Sequence, residues 1–418
     1  MEQIARDKFL NRLIERRENG LVKVITGIRG CGKTYLLFRL YYQYLLAQGV
    51  DASRILRISL EDDKPAGLRD RKKLGSYIRS RIDGHGMWYV FIDEVQLCTG
   101  FEDVLNGLLR LDNVDIYVTG STASHLASDV LTEFRGRGDE VRVHPLSFAE
   151  FMSGAPSLSR EEAWAEYSVY GGLPGVVSLK GAEAKSSFLK NCCRELCRKG
   201  IDGRSRMRSE AKLPGLLAAL ASATGSFANP NRLAETLRSQ GAGLSDKTIA
   251  SYIGCLMDVF LISRVQRFDI KRRRCMASPF KYYFPDAGLL NAALNFRQPE
   301  DTSVMETILY SELLGRGCTV DAGIVEYSQK TPEGRSYRSN LEIDFVCNRG
   351  SQKYYVQTAL AIPDEAAMQR EQKALVRVDD SFRKIIVVKD RIKLWRNEKG
   401  IVIMDIMDFL LKPDSLDL

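Results

Sequence analysis

Two rhythms of apolar residues alternate along the first 150 positions. Short β-rich runs at Leu21–Thr26, Ile55–Leu60, Trp88–Ile92 and Asp115–Thr119 are separated by stretches, Thr34–Leu46 and Phe101–Leu111, in which apolar positions recur every three to four residues. Runs that are apolar almost throughout suit strands buried on both faces, and the 3.6-residue period suits helices that cover them. Strands alternating with helices predict a parallel sheet in an α/β domain. Val141–Leu146 reads as its last strand, followed by helices from Ser147 to about Arg198.

The pattern then changes. Leu213–Ala223, Asn231–Ser239 and Ser245–Met257 read as helices, the third opening on a good N-cap and carrying Ile249, Ile253 and Leu256 on one face. Short strands at Phe260–Phe268 and Lys281–Phe284 flank a loop, Asp269–Phe280. Three helices followed by a β-hairpin is the order of a winged helix. From Asp286 the pattern is mixed again, with a helix at Val304–Gly315 and strands at Leu341–Val346, Lys353–Thr358 and Lys384–Val388. The boundaries predicted are 1–150, 151–209 (a helical lid), 210–285 (the winged helix) and 286–418, consistent with several cores in a chain of 418 residues.

Charge sharpens this reading. The net charge is +8, yet Lys190–Phe280 holds 17 Lys and Arg against 7 Asp and Glu, a net of +10, so the rest of the chain is near −2. A basic middle segment points to a polyanionic partner. The nine cysteines are scattered without a Cys-x-x-Cys, and there are three histidines, which favours reduced thiols over a zinc site. No run approaches the roughly 20 apolar residues of a membrane span, so a cytoplasmic protein without membrane contact is expected.

Gly27-Ile28-Arg29-Gly30-Cys31-Gly32-Lys33-Thr34 fits the phosphate-binding loop G-x-x-x-x-G-K-[ST], with a strand before it and an amphipathic helix after it. Glycines let the backbone curl so that successive N–H groups and a helix N-terminus face a phosphate. Lys33 would bridge the β- and γ-phosphates of ATP, and the Thr34 hydroxyl would ligate Mg²⁺. Tyr89–Glu94 is an apolar strand ending in two acids. Asp93 would hold Mg²⁺ through water and Glu94 would polarise the attacking water. After the next strand, Ser121 and Thr122 are candidates for sensing the γ-phosphate, Ser121 being preferred, or they simply cap a helix starting at Ala123. Arg135 and Arg137 are candidate arginine fingers for a neighbouring subunit's nucleotide, which would imply an ATP-dependent homo-oligomer.

Taken together, several motifs resemble a family of prokaryotic AAA+-like (archaeal-ATPase-like) ATP-binding proteins whose C-terminal part is a restriction-endonuclease-like domain of unknown function. They are Gly27–Thr34, Phe91–Gln96, Val118–Ser121, Arg135–Arg137, Pro145–Phe151, Tyr170-Gly171-Gly172-Leu173-Pro174, Phe284–Leu289, Glu306 with Glu312, and Leu341–Val346, and they span nearly the whole chain. The resemblance implies a P-loop AAA+-type parallel sheet with a helical lid, a winged helix and a mixed α/β nuclease-like domain. The chain departs from many relatives at Thr122, where Asn is common, and at Arg198–Asp202, where a Lys-Asp-Ile-type motif is common.

Nucleases of the restriction-like fold hold Mg²⁺ with an Asp on one strand and a Glu two residues before a Lys on the next. Asp344 is in place, and Glu306 or Glu312 could add a carboxylate. Gln357 falls where the Glu belongs and Ala359 where the Lys belongs. A degenerate site of Glu306, Glu312, Asp344 and Gln357, without nuclease chemistry, is therefore expected. In the winged helix, Lys247 on the third helix and Arg264, Arg267, Lys271, Arg272, Arg273 and Arg274 around the hairpin loop are the candidate contacts to duplex DNA, mainly to its backbone. The sequence thus predicts an ATP-binding and hydrolysing switch on DNA. The alternatives are an ATP-dependent switch whose C-terminal domain binds a protein partner and, less favoured, an ATP-gated nuclease.

Overall fold

The computed structural model describes residues 4–62, 67–122, 138–202, 212–239, 243–297, 300–330 and 336–418. Contacts divide the chain into two compact units, one of residues 2–145 with 258–260, the other of 146–257 with 261–418.

In the first unit, five strands form a wholly parallel sheet: β1 (Val22–Thr26), β2 (Ile55–Ser59), β3 (Trp88–Asp93), β4 (Val114–Gly120) and β5 (Gly138–Arg142), in the order β2-β3-β4-β1-β5. Every residue of β1 and β3 is buried. A core of Val22, Val24, Ile58, Val90, Ile92, Ile116 and Val118 packs against Leu74, Ile78, Phe101, Leu105 and Leu108 of the covering helices. This is the α/β arrangement expected from unbroken apolar strands. The helix after the phosphate-binding loop runs from Lys33 to Ala47 with a π-type stretch at Leu36–Tyr41. The last strand is shifted from its predicted place at Val141–Leu146. Beyond Arg142 the backbone leaves the sheet, with Val143 N donating to Thr26 O at 2.8 Å.

The second unit opens with helices Phe148–Gly154, Arg160–Tyr170, Pro174–Val177 and Ala182–Asp202. The first two begin on Ser147 and Ser159, each closing a reciprocal capping box with the glutamate three residues on, Glu150 and Glu162. Helices Leu213–Ser222, Pro230–Ser239 and Asp246–Asp258 come after them. Next are β6 (Ser263–Asp269) and β7 (Arg274–Tyr283), paired antiparallel. Ala228, between the first two helices of this set, bridges Phe280 of β7.

The hairpin differs from expectation in two ways. Most of the predicted loop Asp269–Phe280 is strand, leaving a turn at residues 270–273. Nor does the hairpin stand apart from the C-terminal region, because β6 pairs parallel with β8 (Thr319–Lys330). With β9 (Ser336–Arg349), β10 (Gln352–Ala359), β11 (Arg383–Val388), β12 (Trp395–Arg396) and β13 (Val402–Asp405) it builds one mixed eight-stranded sheet, β12-β13-β11-β10-β9-β8-β6-β7. The expected boundary at 285/286 therefore falls inside one hydrogen-bonded sheet. Helix Asp301–Gly315 packs on β8, β9 and β10.

Candidate functional site

The sheet order determines what meets at the carboxyl ends of the strands. β4 lies between β1, which ends in the phosphate-binding loop, and β3, which ends in Asp93. Loop, acids and the end of β4 therefore converge.

The loop has backbone that only glycine adopts readily. Gly27 has φ 141°, and a Cβ there would lie 2.2 Å from Val143 O. Gly30 and Gly32 are also left-handed, at 82° and 99°. The loop is braced from behind by a residue that sequence reasoning missed. Arg6 is buried, and its guanidinium donates to Cys31 O at 2.9 Å and to His144 O at 2.6 Å. Cys31 is buried, and its thiol lies 3.5 Å from Val143 O. Arg29, at the open side, pairs with Glu61 at 2.9 Å.

Lys33 is only 4% exposed. Its ammonium donates to Gly27 O at 2.9 Å and to Ile28 O at 3.2 Å, and lies 3.9 Å from Glu94 Oε1. It thus lies across the mouth of the glycine cradle. The Thr34 hydroxyl is 2.9 Å from both carboxylate oxygens of Asp93. Thr119, at the end of β4, donates its hydroxyl to Asp93 Oδ1 at 2.5 Å and accepts the Glu94 N–H at 3.0 Å. One threonine therefore ties the two acids together. Glu94 is left-handed, at φ 51°, and its Oε2 accepts from Ser121 Oγ at 2.9 Å and from Gln96 Nε2 at 2.5 Å. Burial raises the Asp93 pKa, against the hydrogen bonds from Thr119 and Thr34.

A glycine cradle, a buried ammonium and a Thr–Asp pair within hydrogen-bond reach are the donor set that a nucleoside triphosphate and its Mg²⁺ require. The residues fit that group. Arg135 and Arg137 lie outside the described residues, and Thr122 has a buried hydroxyl oxygen with no hydrogen-bond partner among them. Thr119 at the end of β4 and Gln96 just after β3 are legible as polar residues, but nothing in the sequence says which acid they touch.

In the second unit the candidate nuclease residues separate. Glu306 and Asp344 come together, whereas Glu312 is buried elsewhere against Arg316 at 2.7 Å, and Arg316 in turn donates to Phe409 O at 2.6 Å. Glu312 is thus a structural ion-pair partner. Gln357 Oε1 reaches only the Asp344 N–H, at 3.4 Å. The lysine missing at position 359 is matched by one that sequence reasoning did not consider, Lys281 on β7. Its ammonium lies 3.6 Å from Glu306 and 3.9 Å from Asp344, and it is bonded to Glu342.

The candidate DNA contacts also divide. Lys247, the turn residues Lys271, Arg272 and Arg273, and Arg274 at the start of β7 are exposed. Arg272 faces Glu326 at 3.3 Å and Asp269 at 3.7 Å. Arg264 lies over the Phe280 ring, and Arg267 over the Phe227 ring with its Nε buried.

A five-stranded parallel sheet with this loop and these acids is an arrangement like that of P-loop AAA+ ATPases. Residues 19–152 match the family described as a AAA domain. Residues 161–300 match a domain of unknown function, DUF8612. An uncharacterized protein of Haemophilus influenzae is 29% identical over 98% of this chain and 99% of its own length. Another, from Methanocaldococcus jannaschii, is 23% identical over 93% and 87%. Among solved structures, a Walker-type ATPase of Pyrococcus abyssi superposes with a TM-score of 0.50 at 16% identity, covering 70% of this chain and 96% of that one. That likeness concerns the fold alone. Among the described residues, no helix is long and apolar enough to cross a membrane.

Proposed function

We propose that the chain binds ATP with Mg²⁺ and hydrolyses it. The observation that carries this reading is the convergence of Lys33, Thr34, Asp93, Glu94 and Thr119 on one end of the parallel sheet. Lys33 and the loop N–H groups compensate phosphate charge, and Thr34 with Asp93 would hold the metal ion, which would supply further charge compensation to the phosphates. Glu94 accepts a proton as a water oxygen bonds to the γ-phosphorus and the bond to the β-phosphate oxygen breaks, leaving ADP and phosphate. Ser121 and Gln96 fix the direction of the Glu94 carboxylate. ATP binding and phosphate release by Lys33→Ala and Glu94→Gln test the reading. Lys33→Ala should lose affinity and turnover together, and Glu94→Gln should keep binding while turnover drops roughly 10²-fold. Wild-type turnover in Glu94→Gln would remove Glu94 from the role of base.

The second unit supports a role for this ATPase as a nucleotide-dependent switch on duplex DNA. Three helices, the Ala228–Phe280 bridge and the hairpin β6–β7 have winged-helix order, and the turn with the first residue of β7 presents Lys271, Arg272, Arg273 and Arg274 to solvent. Such a cluster suits the phosphate backbone more than base edges. Duplex binding measured by fluorescence polarisation with and without ATP distinguishes this from a switch acting on a protein partner, for which DNA would not bind.

A further inference from the structure

Lys281 is 1% exposed, and its ammonium sits among three carboxylates on two elements: Glu306 on helix Asp301–Gly315, and Glu342 and Asp344 on β9. An uncompensated carboxylate cluster of this kind would be costly inside a protein. Part of the remaining acceptor capacity of Glu306 and Asp344 is met from within the fold, while Glu342 stays 37% exposed. Glu306 Oε2 takes the Tyr283 hydroxyl at 2.6 Å. Asp344 Oδ2 takes the Thr358 N–H at 2.8 Å and the Thr358 hydroxyl at 2.7 Å. Among the described residues, no group of three His, Cys, Asp or Glu side chains is arranged to hold a metal ion. The residues present therefore do not fit the divalent ion that a restriction-like fold implies. The carboxylates have turned toward an ammonium instead.

Two further features agree. Burial pulls the Lys281 pKa down, and Glu306, Asp344 and Glu342 more than offset this, so it is raised. Lys281 also comes directly after Phe280, the residue that bridges Ala228, and lies on the strand that begins at the basic turn. Its anchorage therefore bears on the whole hairpin.

We infer that the Lys281 ammonium is the resident cation of the Glu306–Glu342–Asp344 cluster, occupying the role of a divalent metal ion and pinning hairpin β6–β7 to the C-terminal sheet. The other six strands of the sheet are then a rigid mount for the basic hairpin and carry no metal-dependent phosphodiesterase. This rests on the side-chain geometry and is independent of whether the hairpin binds DNA.

The test is Mn²⁺ binding to the full-length chain without nucleotide, read by electron paramagnetic resonance and by thermal shift. Asp344→Asn serves as the reference, because it leaves the nucleotide site untouched. Wild type and Asp344→Asn should bind Mn²⁺ alike, and neither should cut plasmid DNA. Lys281→Met should gain a Mn²⁺ site at least tenfold tighter than any wild type shows, stabilised by the ion, and Lys281→Met/Asp344→Asn should lose it. Should Lys281→Met fail to fold, Lys281→Met/Glu306→Gln and Lys281→Met/Glu342→Gln carry the test, since fewer unpaired carboxylates should restore folding. The inference is overturned by wild-type Mn²⁺ binding or DNA cleavage that Asp344→Asn abolishes. A folded Lys281→Met that binds no Mn²⁺, or double variants that stay unfolded, would overturn it equally.

Discussion

The carboxylate of Asp286 accepts the backbone N–H of Gly172 at 2.6 Å, joining positions 114 residues apart. It also caps helix Ala287–Ala293 through Leu289 N at 3.1 Å. The glycines around this contact leave room for nothing else. A Cβ on Gly171, whose φ is 71°, would fall 2.1 Å from Asp286 Oδ1, and one on Gly288 would fall 2.1 Å from Tyr170 O. The Tyr170-Gly171-Gly172 and Asp286-Ala287-Gly288 motifs are therefore two halves of one junction.

Gly171→Ala should destabilise the second unit by on the order of 2–4 kcal/mol, because it combines left-handed strain with a clash against a buried carboxylate. Thermal or denaturant unfolding checks this. An unchanged midpoint would mean that the junction yields easily.

Burial pushes the Asp286 carboxyl up to about 6, against the N–H groups of Gly172, Leu289 and Gly288. The native state then holds its proton more tightly than the unfolded chain does, so this contribution is present below about pH 4 and is lost as pH rises through about 6. It amounts to at most about 3 kcal/mol. Urea unfolding at pH 4.5 and 7 should show the loss in wild type and a flatter profile in Asp286→Asn.

Thr119 holds Asp93 and Glu94 in register through its hydroxyl. Thr119→Val should lower kcat roughly 10–100-fold, since small misplacements of catalytic groups carry costs of that size. ATP affinity should change little, and Thr119→Ser should recover most of the rate. Equal loss in Thr119→Val and Thr119→Ser would assign the residue a packing role only.

Neutralising Arg272, Arg273 and Arg274 together should weaken duplex binding across sequences and flatten its salt dependence, each phosphate contact contributing a log–log slope of about −0.9. Arg272, already facing Asp269 and Glu326, should contribute least when neutralised alone. A wild-type slope in the triple variant would take the turn off DNA.

The sequence by itself determined the nucleotide site's parts. A phosphate-binding loop needs glycine at constrained φ and a lysine and threonine at set spacing, and the acids must end a buried strand; all of this is local and shows in residue order. The alternation of strands and helices likewise came from burial periodicity, which each segment carries alone. Tertiary structure decided what distant segments do to one another. Val141–Leu146 looks like a strand because it is apolar, but the strand is Gly138–Arg142, its last ladder bond runs from Val143 N to Thr26 O, and Leu146 N bonds to Gly172 O, outside the sheet. Glu306 and Glu312 are indistinguishable as acids on one helix, yet one meets Lys281 and the other Arg316. Strand neighbours are predictable, so the sequence points to position 359 for a lysine, while Lys281 arrives on a strand joined to that sheet through β6 and β8. Charge compensation in a folded protein depends on distance through space, and a single sequence records only distance along the chain.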